Sequence, residues 1–245
     1  MVSLENLTSS ISVKSMTFAG KPLGVFMYQA KPTALIGIDL KKTPGTYPFV
    51  AELSDGKKIT KNIEVISRKK IEAPLGIPAS LGGNTPAAAT SLVTNLSKEN
   101  TELASIWTGT KAFWTEKFRF PLPTIFITDP YGYSRETGSY EIAHKGTDFR
   151  AAEGTQVRAM NRGVVRIAKK FTVYGNTIVV DHGFGLMTMY MHLSKINVNP
   201  GELVLLGQVI GLSGHTGYAE SAHLHVSVRI DGISIDPMKF MDLFK

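Results

Sequence analysis

His223-Leu-His-Val-Ser-Val-Arg-Ile230 alternates strictly along its length. Leu224, Val226, Val228 and Ile230 fall on one side, and His223, His225, Ser227 and Arg229 on the other. A period of two is the signature of a β-strand resting on an apolar layer. On a helix, positions two apart would diverge by about 200°, whereas on a strand both histidines enter one space. Leu186-Met-Thr-Met-Tyr-Met-His-Leu193 has the same period. Its alternation predicts Met187, Met189, Met191 and Leu193 on the apolar side, with Thr188, Tyr190 and His192 facing the histidines. In His144-Lys-Gly-Thr-Asp148 the four-residue spacing fits one face of either a helix or a strand. Gly146 disfavours a helix, so the expectation is a loop leading into a strand at Thr147–Phe149. Three segments thus aim polar groups at one sheet face.

All six histidines lie in the last 102 residues. Two imidazoles and one carboxylate around zinc leave a position for water, which is the pattern of a catalytic rather than a structural site. Bound zinc lowers the pKa of that water to about 7, and the remaining histidines would be free to move protons. A non-haem iron site also uses two histidines and one carboxylate, but it does not need two further histidines. His182, in phase with Ile178 and Val180 before a Gly-Phe-Gly turn, reads as a structural histidine. His215 reads as a loop residue beside the site. Together with Tyr190 it is a candidate substrate contact.

The order His-x-x-x-Asp, Tyr-x-His-Leu-Ser, His-Leu-His resembles the lysostaphin/LytM-type zinc peptidases that cut peptidoglycan cross-links. The resemblance runs from roughly Phe118 to Lys245. It extends to Gly146-Thr-Asp-Phe149, Gly154-Thr-Gln-Val157, Tyr174-Gly-Asn176, Val198-Asn-Pro-Gly201, Gly214-His-Thr-Gly217 and Asp236-Pro237. It implies a mostly β protein whose C-terminal antiparallel sheet carries a substrate groove. It also implies one zinc ion per chain, held by His144, Asp148 and His225, with His192 and His223 as the two catalytic histidines that do not bind metal. Which of these two is the base stays open. The chain departs from the family at Tyr218-Ala-Glu-Ser-Ala222, at His215 and in the loop from Tyr131 to Ile142. None of these changes touches the ligands, but they bear on which bond is cut. The alternative on the same fold is an inert wall-binding or activator protein. Such proteins typically lose ligands, and none is lost here.

The rest of the chain bounds this reading. With no cysteine there are no disulfides, thiolate ligands or cysteine nucleophiles. No apolar run approaches the ~20 residues of a membrane span. Met1 to Asn6 lacks the layout of a signal peptide, so an extracytoplasmic substrate implies that a leader has been removed. The net charge of +7 is concentrated in Met1 to Lys70, where 11 Lys/Arg face 5 Asp/Glu. That imbalance suits an anionic wall or membrane surface. No stacking aromatics are interleaved with the lysines, so a nucleic-acid partner is not expected. Short β-type runs at Ile11–Val13, Gly24–Tyr28, Ala34–Ile38 and Lys61–Ile66 alternate with turns and predict a small immunoglobulin-like β-sandwich over residues 1–72. A linker over residues 73–117 is expected to hold a helix that starts at Thr85-Pro86 and reaches about Trp107. Leu92, Leu96, Leu103 and Trp107 form its apolar docking stripe. Residues 118–245 form the peptidase domain.

Overall fold

The computed structural model describes residues 1–5 and 11–244. Asn6, which ends the stretch read for a leader, and Lys245, the last residue of the expected peptidase domain, lie outside the described residues. The first part of the chain holds β1 (Val2–Ser3), β2 (Val13–Phe18), β3 (Lys21–Leu23), β4 (Val25–Tyr28), β5 (Lys31–Ala34), β6 (Gly45–Leu53) and β7 (Lys58–Val65). They make two antiparallel sheets, ordered β1-β5-β4 and β3-β2-β6-β7. Met16, Ala34, Phe49 and Ala51, drawn from both sheets, share one small core. The apolar run Ala34–Ile38 is strand only at its first residue, because the rest leaves the sheet to pack elsewhere. Leu35 enters the main core of the molecule. Gly37 lies so close to the later chain that an added Cβ would stand 2.8 Å from the Ile230 carbonyl oxygen.

Next come β8 (Glu72–Pro74) and α1 (Pro86–Ala104). Thr85 caps the helix, its Oγ1 accepting from Ala88 N–H at 3.3 Å, and Pro86 occupies the first turn, where no amide donor is needed. The helix stops three residues short of Trp107, which is 69% exposed and lies outside the expected stripe. Leu92 packs with Ile77 and Val173, whereas Leu103 packs with Met187, Met189 and Met191. Between them the buried Glu99 carboxylate accepts from the amides of Thr172, Val173 and Tyr174.

The remaining chain gives β9 (Ile127–Asp129), β10 (Ser134–Thr137), β11 (Tyr140–Ala143), β12 (Thr147–Arg150), β13 (Gln156–Arg158), β14 (Gly163–Lys170) and β15 (Asn176–Gly183). It continues with β16 (Leu186–Leu193), β17 (Lys195–Ile196), β18 (Leu203–Val204), β19 (Val209–Leu212), β20 (His223–Ile230), β21 (Ile233–Ile235) and α2 (Pro237–Asp242). A central antiparallel sheet runs β18-β14-β15-β16-β20-β12-β9, with β21 on β20. β13, β19 and β17 form a smaller sheet, and the β10–β11 hairpin pairs with β8. Among the described residues no helix is long and apolar enough to cross a membrane.

Both faces of the central sheet are covered. One carries Leu224, Val226, Val228 and Ile230 and packs into the main core, to which Phe26, Tyr28 and Trp114 also contribute. The other carries Met187, Met189 and Met191 under Leu103. The assignment of faces on β16 therefore needs correcting. Met187, Met189 and Met191 pair with Arg229, Ser227 and His225, so the methionines share the histidine side. Tyr190 pairs with Val226 and belongs to the apolar side. A strand buried on both faces has no polar side to betray its orientation.

Candidate active site

His192 reaches the site through a β-bulge. Asn176 pairs with Leu193 and Ile178 with Tyr190, so Thr177 alone faces both Met191 and His192. His192 adopts φ 60°, rare for a side chain with a Cβ. Its amide is held by the Tyr174 carbonyl at 3.0 Å. The extra residue turns His192 out of phase with Tyr190 and onto the face of His225. The His192 ring centroid lies 4.9 Å from that of His223 and 6.0 Å from that of His225. Simple alternation brought His192 to this group on the wrong grounds. Tyr190 does not join it. Its hydroxyl accepts from Met160 N–H at 2.8 Å and sits 2.9 Å from Thr188 Oγ1, fully buried on the opposite face. Tyr190 is thus a packing residue and not a substrate contact.

His144, Asp148 and His225 converge. Their candidate ligand atoms all lie within 4.8 Å of one another. His144 precedes β12, Asp148 lies on it, and the β12–β20 register sets Asp148 opposite His225. His144 Nε2 is 3.2 Å from Asp148 Oδ1 and 3.1 Å from His225 Nδ1, and that Nδ1 is 2.7 Å from Asp148 Oδ1. Gly146 is required here, because an added Cβ would stand 2.2 Å from His225 Nε2.

The outward hydrogen bonds decide where each imidazole keeps its lone pair. A carbonyl oxygen only accepts, so the ring nitrogen against it carries the proton. His144 Nδ1 donates to Pro130 O at 2.9 Å, His192 Nδ1 to Thr216 O at 2.8 Å and His223 Nδ1 to Ser221 O at 2.8 Å. Ser227 Oγ donates to Lys145 O at 2.8 Å and so accepts from His225 Nε2 at 3.0 Å. With both imidazoles neutral, their lone pairs meet 3.1 Å apart beside a carboxylate. Such a donor set fits a cation. Ligand atoms about 2.0–2.1 Å from a tetrahedral zinc stand about 3.3 Å from each other, close to the spacings seen.

The acidic member of the set stays ionised. Burial alone would push the Asp148 carboxyl up, but the adjacent His144 and His225 outweigh it and hold it well below the usual carboxylate range. Burial first, and the rings of His223 and His225 next, push His192 down to about 3. It is uncharged at neutral pH. Asp148 Oδ2 accepts from Arg135 Nη2 at 2.6 Å, and the same guanidinium pairs with Asp129. Arg135 escaped the sequence reading, since a lone arginine nine residues before His144 carries no spacing signal. Ser227 was visible as a residue in phase with His225, but its role was not. His215 is an exposed loop residue whose Nδ1 lies 3.2 Å from Glu153 Oε2. Its neighbour Thr216 is the one that anchors His192.

The family match falls on the part of the chain that carries this site. Residues 142–237 match the model of Peptidase family M23. The chain is 44% identical over 96 residues to the peptidoglycan DD-endopeptidase ShyA of Vibrio cholerae, covering 39% of this chain and 22% of that protein. It is 36% identical over 119 residues to the DD-carboxypeptidase/endopeptidase Mpg of Neisseria meningitidis, covering 48% and 27%. The chain thus spans about a quarter of the length of these relatives. A crystal structure of a candidate peptidase M23 from Pseudomonas aeruginosa superposes with a TM-score of 0.69, covering 98% of this chain and 91% of the other. Its 24% identity establishes the shared fold alone.

Proposed function

We propose that the protein, whose residues 142–237 match Peptidase family M23, is a zinc-dependent hydrolase of peptidoglycan stem-peptide or cross-bridge bonds. The observation that carries the proposal is the convergence of two imidazole lone pairs and a carboxylate beside two more imidazoles with unprotonated Nε2 atoms. The relatives named for peptidoglycan endopeptidase activity support the substrate class. A peptidoglycan substrate implies action outside the cytoplasm. Residues 1–72, with their excess of lysine and arginine, are assigned to holding the enzyme near an anionic wall or membrane surface, residues 73–117 to linking, and residues 118–245 to catalysis.

His144, Asp148 and His225 would hold the zinc, which supplies Lewis acidity for the scissile carbonyl and a water of lowered pKa. Pro130 and the Ser227–Lys145 relay fix the two ligand histidines in the tautomers that leave Nε2 and Nδ1 free. Arg135 engages Asp148 Oδ2 and so leaves Oδ1 as the oxygen turned to the histidines. No glutamate base is needed. His192 and His223 both present an unprotonated Nε2, so either can accept the proton of the attacking water and return it to the leaving amine. His192, His144, Asp148 and His225 are each buried, which keeps bulk water away from the charges formed.

The test is product analysis. Purified wall peptides incubated with the full chain should give fragments that differ by one hydrolysed amide bond, detectable by mass spectrometry. A chelator should abolish them and added zinc should restore them. Intact peptides in every condition would favour the wall-binding alternative. Activity that returned with ferrous iron and not with zinc would favour the iron reading.

A further inference from the structure

Arg229 stands on the site face of β20, in phase with His225 and Ser227, yet the mechanism makes no use of it. It is 5% exposed, and no carboxylate pairs with it among the described residues. Its Nη2 donates to Asn100 Oδ1 of α1 at 3.1 Å, and its buried Nε has no partner at all. Buried arginines ordinarily have an anion beside them, since an unpaired guanidinium loses its hydration without return. Beside Arg229 lies a cavity of about 500 Å³ that Lys145, Lys41, Asp39, Asn100 and Ser234 also line. Three cations thus face one carboxylate, and that carboxylate, on the exposed Asp39, is already engaged by the Lys41 amide at 2.8 Å. Ala143 and Lys145, on either side of His144, both line the cavity, and the Lys145 carbonyl anchors Ser227.

We infer that Arg229, with the exposed Lys145 on the same cavity lining, forms a subsite for a free carboxylate of the peptide substrate. The inference rests on the peptidase reading for the identity of the ligand. A guanidinium offers donors in a fork matched to a carboxylate, and Asn100 holds that fork in place through Nη2. Four steps along the strand separate Arg229 from His225, about 14 Å at ~3.4 Å per residue. The subsite would therefore read a carboxylate roughly four extended residues from the bond cut, and so select where along the peptide the chain is positioned.

Binding without turnover tests this. A wall stem tetrapeptide with a free C-terminal carboxylate and the same peptide as its C-terminal amide are titrated calorimetrically into the full chain in the presence of chelator. The acid should bind at least about tenfold more tightly, the effect of one charge-assisted bidentate contact. Arg229→Gln should bring the ratio to about one. Should that variant fail to fold by circular dichroism, Lys145→Glu, at an exposed position, should lower the ratio instead. Equal binding of acid and amide by the unmodified chain, no binding of either, or a ratio unchanged in the folded variants would overturn the proposal. Hydrolysis is then measured separately with zinc. Discrimination without hydrolysis sinks the catalytic reading and leaves the subsite standing, and hydrolysis without discrimination does the reverse.

Discussion

His182 and His225 are both buried histidines on strands of one sheet, and burial pushes each down to about 4. They differ in where their nitrogens point. His182 lies on the main-core face against the Phe118 ring, with Nδ1 2.8 Å from the Arg162 carbonyl and Nε2 2.8 Å from Thr188 Oγ1. Both of its nitrogens have partners and nothing is left over. His225, on the opposite face, spends one nitrogen on Ser227 and turns the other toward His144 and Asp148. A depressed pKa therefore does not separate a structural histidine from a working one here. The direction of the lone pair does.

The sharpest way to break this contrast is to remove the converging atoms. His225→Ala or Asp148→Ala should reduce hydrolysis of wall peptides below detection, while His182→Gln should leave a folded enzyme with measurable turnover. An inactive but folded His182→Gln protein would show that the main-core histidine is not merely structural.

The next effect divides the site itself. His192→Ala and His223→Ala should each lower kcat by about 10²–10⁴, as removal of a proton-transfer group does, with KM little changed. A tenfold loss or less for both would mean that neither moves the proton.

Stability against pH should then report His182. Its folded pKa of about 4 lies below the unfolded value near 6.5. As pH falls, the unfolded chain takes up the proton first. The contribution is complete above pH 6.5 and is lost as pH drops toward 4, by a total of about 3 kcal/mol. Urea unfolding of the unmodified chain and of His182→Gln should differ in slope across that window. Identical slopes would place the titration elsewhere.

Smallest is the relay behind His225. Ser227→Ala removes the acceptor that fixes its tautomer and should weaken metal affinity by about 10–100-fold, as read by competition with a chromophoric chelator. Unchanged affinity would show that the tautomer needs no such anchor.

The contrast also explains what was legible in the sequence. β20 could be read in full because its alternation matches its two environments, apolar below and histidine-bearing above. β16 could not, since all eight of its residues are buried. Its alternation suggests the methionines for the core and Tyr190 for the site, whereas the register with β20 puts the methionines on the histidine side and the bulge brings His192 to join them. A bulge depends on pairing with β15, which no single strand announces. His144, Asp148 and their Gly146 were recoverable from local spacing. Arg135 was not, because it arrives from a hairpin whose sequence says nothing of its target. Trp107 looked like the last residue of an apolar stripe, yet the helix ends at Ala104 and the indole lies out under the Arg166 guanidinium, 5.4 Å from the ring centre. The strand run Ala34–Ile38 was apolar for packing and not for pairing.

The most direct test of the account is metal stoichiometry in the two neighbours of the His-x-His pair. His223→Ala and His225→Ala are dialysed against a trace of zinc, and bound metal is measured by atomic emission. The account predicts about one zinc per chain in His223→Ala and almost none in His225→Ala, since only His225 turns a lone pair toward both His144 and Asp148. Zinc retained by His225→Ala and lost by His223→Ala would contradict it.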